Sequence, residues 1–449
     1  MDYTPYSLLT DVGFISILMI VGTFMRRHFA WFRHLLIPAP ITAGLLGLLL
    51  GPEVLGLLNF SDRLGDYSTL LIAIVFAAMP YSMTFDARDA SKARNMWSYS
   101  TGMFLGQWGL FILLGLFVFK PFFGTEDWFG MMLPVGLCRW LWHAAAVGGS
   151  LDSIGAEAAA SLGFTSATVG TLAAIIGGII FANWGIRTGR TNTLPKELPW
   201  ELRSGHIEDV EKQPSIGRAT TNPSSIEPLT LHIGFISVTV LFAYLAQQGI
   251  KSFFPSVSIP LFALSFVAGI CGVIFLKVIR RPRYLDQQTV KTVSGGATDF
   301  LIAFGIASIV PSAVASYLVP LIILFIAGIV YCVFFFFVVS PVFFGESWLE
   351  RGIFSWGWAT AAVATGIALL KIVDPDLKSG TLNEYGVAYV GFAPFEIGMT
   401  ILAPIAILSR FAFGLGGFAL VLAVAILVIP IFSGWLPKRA KKTNPASAG

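Results

Sequence analysis

The chain has 449 residues, 55% of them hydrophobic and only 12% charged, with a formal net charge of +4 and a mean hydropathy of +0.77. Soluble domains carry roughly 25% charged residues, so this composition argues against a soluble enzyme or binding module and, with its repeated apolar runs, indicates a polytopic membrane protein. The small positive balance lies in loops, without a basic stripe or reader motif, so nucleic acid is not an expected partner.

The first apolar run, about residues 8–24, is flanked by Asp2 and Asp11. It lacks a basic leader and a small-residue cleavage site, so it reads as a first spanning helix rather than a cleaved signal. Arg26, Arg27 and Arg33 follow, and the positive-inside rule places them in the cytoplasm and the N-terminus outside. A second span opens on Ile37-Pro38-Ala39-Pro40 and runs to about residue 50; proline is tolerated in a first helical turn, whose N–H groups have no intrahelical partner. Glu53, Asp62 and Asp66 mark an outer loop, a third span covers about 69–83, Arg88, Lys92 and Arg94 mark a cytoplasmic loop, and a fourth span covers about 99–119. For the next span, about 160–184, to end inside, the irregular stretch Phe129–Ser153 must enter and leave on the outer face as a re-entrant hairpin.

Residues 186–228 are the one long polar stretch, with charges of both signs, prolines and serines; they read as a cytoplasmic, partly disordered linker. The pattern then restarts. Spans are expected at about 229–249, 259–276, 299–309 (ended by Pro311), 318–339 and 386–408, with a second irregular stretch at 350–371 and an additional span at 411–432 before a basic cytoplasmic tail from Lys438. The expectation is an all-α membrane protein of about eleven spans and two hairpins: a first membrane unit at 1–185, the linker, a second unit at 229–410, and an added C-terminal segment at 411–449.

Three echoes relate the units. Trp140, Trp142, Ala145, Ala146 and Val147 stand opposite Trp356, Trp358, Ala361, Ala362 and Val363; Leu36-Ile37-Pro38 stands opposite Ser258-Ile259-Pro260; and Leu70 onward stands opposite Phe300 onward. Because the first unit starts outside and the second inside, the expected arrangement is an inverted-topology repeat, with hairpins entering from opposite faces.

These residues resemble the sodium/glutamate symporter family, whose members carry an IP-x-P start to the second span, matched by Ile37 to Pro40, and two glycine-rich hairpins. The second hairpin core is matched by Gly357-Trp358-Ala359-Thr360 and Ala364-Thr365-Gly366. The first is matched only in Ala144 to Gly149, since Arg139-Trp140-Leu141-Trp142-His143 replace the family's Gly-Gly-His-Gly-Thr. The resemblance implies hairpin tips meeting near the midplane, Na⁺-coupled uptake of glutamate or a related small organic anion, a homodimer, and residence in a bacterial inner membrane.

Several residues are candidates for the chemistry. Thr360 and Thr365 offer hard hydroxyl oxygens suited to Na⁺ at an unwound tip; the alternative is that small residues let helices pack closely. Arg139 could clamp a substrate carboxylate with its planar fork; the alternatives are snorkelling or pairing with Glu126 or Asp127. His143 is a proton carrier or a packing histidine, and Ala144 lies beside it in the first tip. Trp142 and Trp358, with Trp140 and Trp356, either narrow the site or pack as core and interface anchors. Glu396, inside a span, is the best ion-coupling carboxylate, with a structural pair as the alternative. Asp299 reads as a charge at the start of its span, and Gln107 as an interhelical hydrogen-bonding group.

The expected function is therefore cation-coupled symport of a small anion, with Na⁺ as coupling ion and no other cofactor. The alternative is a non-transporting or proton-coupled membrane protein that keeps the fold. No P-loop, HExxH or GxSxG pattern suggests an enzyme. Cys138, Cys271 and Cys332 are dispersed in apolar runs and form neither a disulfide framework nor a metal spacing.

Overall fold

A computed structural model describes residues 4–34, 37–82, 90–137, 143–152, 155–156, 158–191, 200–253, 259, 261–281, 284–374 and 377–437. Every regular element among them is helical, and nine helical stretches are long and apolar enough to cross a membrane. The chain is a helical multi-pass membrane protein. Its main helices are α1 (Pro5–His28), α2 (Ala39–Leu50), α3 (Leu64–Ser82), α4 (Ala90–Leu114), α5 (Met132–Leu137), α6 (Ala159–Arg187), α7 (Pro228–Phe253), α8 (Leu261–Val278), α9 (Gln287–Ala307), α10 (Leu318–Phe334), α11 (Trp348–Thr360), α12 (Val363–Val373), α13 (Thr381–Leu408) and α14 (Ala412–Phe432).

Packing divides these helices into two groups. In the first, α1 packs on α2 as α7 packs on α8, α9 lies against both α2 and α3, and α3 lies against both α8 and α9. Exchanging α1, α2 and α3 for α7, α8 and α9 leaves this list of neighbours unchanged. In the second group, α4 packs along α14 and α13, and α6 packs along both interrupted segments. Contacts between the groups run mainly through α6 and the stretch 144–152 against α3 and α9, including a hydrogen bond from the Val310 N–H to Ser161 Oγ (3.1 Å).

A further correspondence lies in how α4 and α10 end. Each passes through a π-helical turn, Gly115–Phe119 and Phe335–Val339, into a short helix, Lys120–Phe123 and Ser340–Phe344. Each short helix carries a proline in its first two positions, Pro121 and Pro341, and stops at a glycine with positive φ, Gly124 and Gly345. A proline lacks an N–H and its ring crowds the carbonyl four residues earlier, which favours widening of the preceding turn. The sequences FVFKPFFG (from Phe117) and FVVSPVFFG (from Phe337) carry this signal.

The structure changes several expectations. Residues Ala39–Leu50 form a helix of 12 residues, about 18 Å long, shorter than the hydrocarbon core. Asp299 does not open its span: it lies inside the 21-residue α9, because the polar turns before it are helical too. Pro311 does not end that helix, which stops at Ala307; it starts the next short helix, Pro311–Ser316. The linker, over its described residues, is docked rather than loose. The Arg33 guanidinium lies 5.3 Å over the Trp200 ring, Arg27 pairs with Glu208 (3.2 Å), Thr292 Oγ1 donates to the Ile216 carbonyl (2.7 Å) and the Arg218 N–H donates to Asp286 Oδ2 (3.1 Å).

Asp11 is buried inside α1 rather than flanking it. Its carboxylate accepts from the Ser61 N–H (3.0 Å), the Ser61 hydroxyl (2.5 Å) and the Tyr67 hydroxyl (2.8 Å), tying α1 to the loop after α2 and to α3. Charge-assisted hydrogen bonds contribute about 1.5–3 kcal/mol each, and stranded buried donors are costly. Asp11→Ala is expected to destabilise the protein by about 3 kcal/mol and Tyr67→Phe by about half as much, measured as the loss of unfolding free energy in detergent.

Candidate functional site

The second hairpin is the better defined. Helix α11 ends at Thr360, and the chain is non-helical at Ala361 (φ −147°, ψ −85°) and extended at Ala362 (φ −151°, ψ 155°) before α12 begins. The N–H groups of Ala361 and Ala362 both donate to the Gly357 carbonyl at 3.0 Å. The break thus places the carbonyl-rich C-terminus of α11 next to the N–H-rich N-terminus of α12. The first end favours a cation and the second an anion. The arms cross at Gly357 and Gly366, where a methyl group on Gly357 would lie 2.6 Å from the Gly366 Cα; side chains there would force the hairpin open.

Helix α6 is the post on which both hairpins are mounted. Its central residue for this purpose is Gly170. A methyl group there would lie 2.5 Å from the Thr360 carbonyl oxygen and 3.3 Å from the Leu137 Cα. Thr360 ends the first arm of the second hairpin, and Leu137 is the last described residue of α5, the first arm of the expected first hairpin. The break at Thr360 and the backbone of α5 therefore reach the same point, near the middle of a 29-residue helix. On the same helix the Trp356 indole N–H donates to the Ala174 carbonyl (3.0 Å), and the Trp356 ring packs edge-on against Phe181 (4.8 Å).

The sequence candidates fall as follows. Arg139 and Trp142 lie outside the described residues, as do Cys138, Trp140 and Leu141. His143 and Ala144 are fully buried at the start of a π-helical turn, Ala144–Gly148, which packs on α6 and α13. Thr360 is fully buried, and its hydroxyl donates to the Trp356 carbonyl (2.6 Å), leaving the oxygen lone pairs as hard donors. Thr365 is partly buried on α12, beyond the break. Glu396 is buried in α13, two residues after Pro394, whose missing N–H releases a backbone carbonyl in that helix. Trp358 is fully buried, 5.9 Å from Phe392 and 6.1 Å from Tyr385 between ring centroids. Glu396 is one turn after Phe392 on the same face, so the aromatic cluster and the carboxylate belong to one flank of the second tip.

Other assignments also resolve. Glu126 accepts from the Tyr317 hydroxyl at 2.8 Å with both oxygens, and Asp127 pairs with Lys120 at 2.5 Å; burial and then the Glu126 carboxylate push the Tyr317 phenol up to about 12. Both acids considered as partners for Arg139 are thus engaged. Gln107 donates to Cys332 Sγ (3.9 Å) between α4 and α10, as an interhelical group should. The Arg351–Glu384 clamp was not foreseen, because its partners lie 33 positions apart. Arg351 Nε and Nη2 donate to Glu384 at 2.8 and 2.5 Å, fixing the base of α11 to the start of α13.

A cavity of about 740 Å³ opens beside the first hairpin. It is lined by Ala145, Gly149 and Asp152 of the hairpin's second arm, by Ser161 and Phe164 of α6, and by the starts of α3 and α8, with Glu53 and Asp62 in the loop after α2 and Asp66 in the first turn of α3.

If the meeting point on α6 holds the tips in register, Gly170→Ala should disturb it. We expect a loss of about 1–3 kcal/mol from overpacking against a backbone carbonyl. Gly386→Ala on α13, where nothing lies within 4 Å of the added methyl, should leave thermal unfolding unchanged or raise it. No protein-family model and no curated protein matches this chain.

Proposed function

We propose that the protein is a secondary active transporter that couples a cation, Na⁺ in the leading reading, to symport of glutamate or a related small organic anion. The single observation that carries this reading is the meeting, on Gly170, of the broken segment at Thr360 with α5, the first arm of the expected first hairpin. Broken helices are tolerated at membrane depth only where protein or water satisfies the backbone, and such breaks in paired units are where transporters bind their ligands.

The exchangeable neighbours of α1–α3 and α7–α9 support an inverted repeat. So do the matched π-helical turns with Pro121 and Pro341. The first group of helices would form the static frame, and α6 with the two hairpins, α4, α10, α13 and α14 the moving body. Thr360 and the carbonyls at the end of α11 would hold the cation, with Thr365 and Glu396 in supporting roles. The α12 N-terminus, His143 and Ala144 would face the anion, Trp358 would limit its size, and Arg139 and Trp142 complete the first tip in this reading. In this reading the loop charges favour an outside N-terminus and a cytoplasmic tail, and the resemblance adds a bacterial inner membrane and a homodimer.

The test is uptake by purified protein in liposomes, using labelled acidic amino acids and dicarboxylates under imposed Na⁺ or proton gradients. The expected result is gradient-driven accumulation of at least one of them, lost in Thr360→Val and in Arg139→Ala without a fall in thermal stability. No uptake under any gradient, and no thermal protection by any candidate, would leave the non-transporting alternative.

A further inference from the structure

Three of the apolar spans have an end at one place, on the linker side. Arg94 is the second residue of the span Ala93–Phe123, Arg187 is the last of Ala159–Arg187, and Trp435 lies three residues past the end of Ala412–Phe432. The chain at 343–347, between α10 and α11, is held among them. Asn95 Nδ2 donates to the carbonyls of Phe343 (3.3 Å) and Trp435 (3.1 Å), and a methyl group on Gly345 would lie 3.1 Å from Pro437 Cγ.

Two guanidinium groups flank this turn, each over tryptophan. Arg94 lies 5.3 Å over the Trp435 ring. Arg190, three residues past the end of α6, lies 4.7 Å over Trp184 and 5.9 Å over Trp348, whose rings are 6.2 Å apart. Arg94, Arg187 and Arg190 are exposed. Arg27 and Arg351 are paired with Glu208 and Glu384. Among the described residues Arg94, Arg187 and Arg190 have no carboxylate partner, and none of the three interacts with the remaining residues. The turn's own acid, Glu346, is exposed and offsets only one of these charges. Past Pro437 the sequence continues Lys438-Arg439-Ala440-Lys441-Lys442, so four more cations follow directly from the same place.

The chemistry of this patch matches a lipid phosphate. A guanidinium held over an indole by cation–π attraction keeps its N–H donors for bidentate contact with phosphate oxygens. Tryptophan rings at span ends sit at headgroup level, and basic clusters just beyond a span attract anionic lipid. We propose that the Arg94–Trp435 and Arg190–Trp184–Trp348 stacks form a docking surface for the headgroup of an anionic phospholipid. The helices that carry it, α4, α6, α11 and α14, all belong to the second packing group, so the lipid grips one body. The inference does not depend on the transporter reading.

The test offers the purified full chain equal amounts of phosphatidylglycerol and phosphatidylcholine, and reads retained lipid by native mass spectrometry and stability by thermal unfolding. Phosphatidylglycerol should be retained in preference by on the order of tenfold and should raise the unfolding temperature, with both effects weakened by high salt. The Arg94→Gln, Arg190→Gln double variant should lose most of the preference while unfolding normally in phosphatidylcholine alone. Should it not fold, Arg190→Gln alone should lower the preference by on the order of threefold. Inorganic phosphate should leave the unfolding temperature unchanged, which separates a headgroup anchored in lipid from a soluble anion. Equal retention of the two lipids, a preference that survives the substitutions, or a thermal shift with inorganic phosphate equal to that with phosphatidylglycerol would overturn the proposal. None of these outcomes involves uptake, so a failed transport experiment and a failed lipid site are told apart.

Discussion

The structure depends on one close approach: the break at the end of α11, the backbone of α5 at Leu137 and helix α6 meet at Gly170. Helix α6 has no side chain at that point, and the Thr360 carbonyl and the Leu137 backbone occupy the space. Everything that positions the tips then follows from packing against α6. The Trp356 indole anchors the second hairpin to the Ala174 carbonyl, and the Gly357–Gly366 crossing keeps its arms together. At the base, the Arg351–Glu384 clamp ties the same hairpin to α13. An unwound tip is expensive in a membrane because its N–H and C=O groups have no water, and this surrounding rigidity is what allows a break to persist.

The two hairpins are not equivalent in what holds them. The second has the indole anchor, the glycine crossing and the charged clamp. The first leans on α6 and, through Gly149 and its neighbours, faces the cavity beside it. That cavity is also lined by Leu48 near the end of α2, by Leu261 at the start of α8 and by Pro404 and Leu408 of α13, so it borders both helix groups.

Much of this was legible in residues. The low charge and long apolar runs dictated a multi-pass helical protein, and the second hairpin was visible because glycine, alanine and threonine interrupt an apolar stretch at 356–366. The post was not visible, because glycines in α6 look like ordinary close helix packing until their neighbours are known. The proline-and-glycine echo at 121–124 and 341–345 was present in the sequence, but phenylalanine-rich flanks made it read as plain span. Asp299 was misplaced for a physical reason: the turns before it contain serine, glycines and threonines, which lower hydropathy without ending a helix. The docking of the described part of the linker was not legible, because each contact pairs it with a residue far away in sequence, such as Arg27 with Glu208 and Arg218 with Asp286.

The most direct measurement of the central claim is a cross-link between the two hairpin ends. In a cysteine-free protein with a protease site placed in the linker, Leu137→Cys and Thr360→Cys are introduced together and oxidised in the membrane. If the ends meet on Gly170, the two halves stay joined after proteolysis and separate on reduction, while a Leu137→Cys and Thr365→Cys pair joins far less. Complete separation of the halves after oxidation, in a protein that is otherwise folded, would contradict the account.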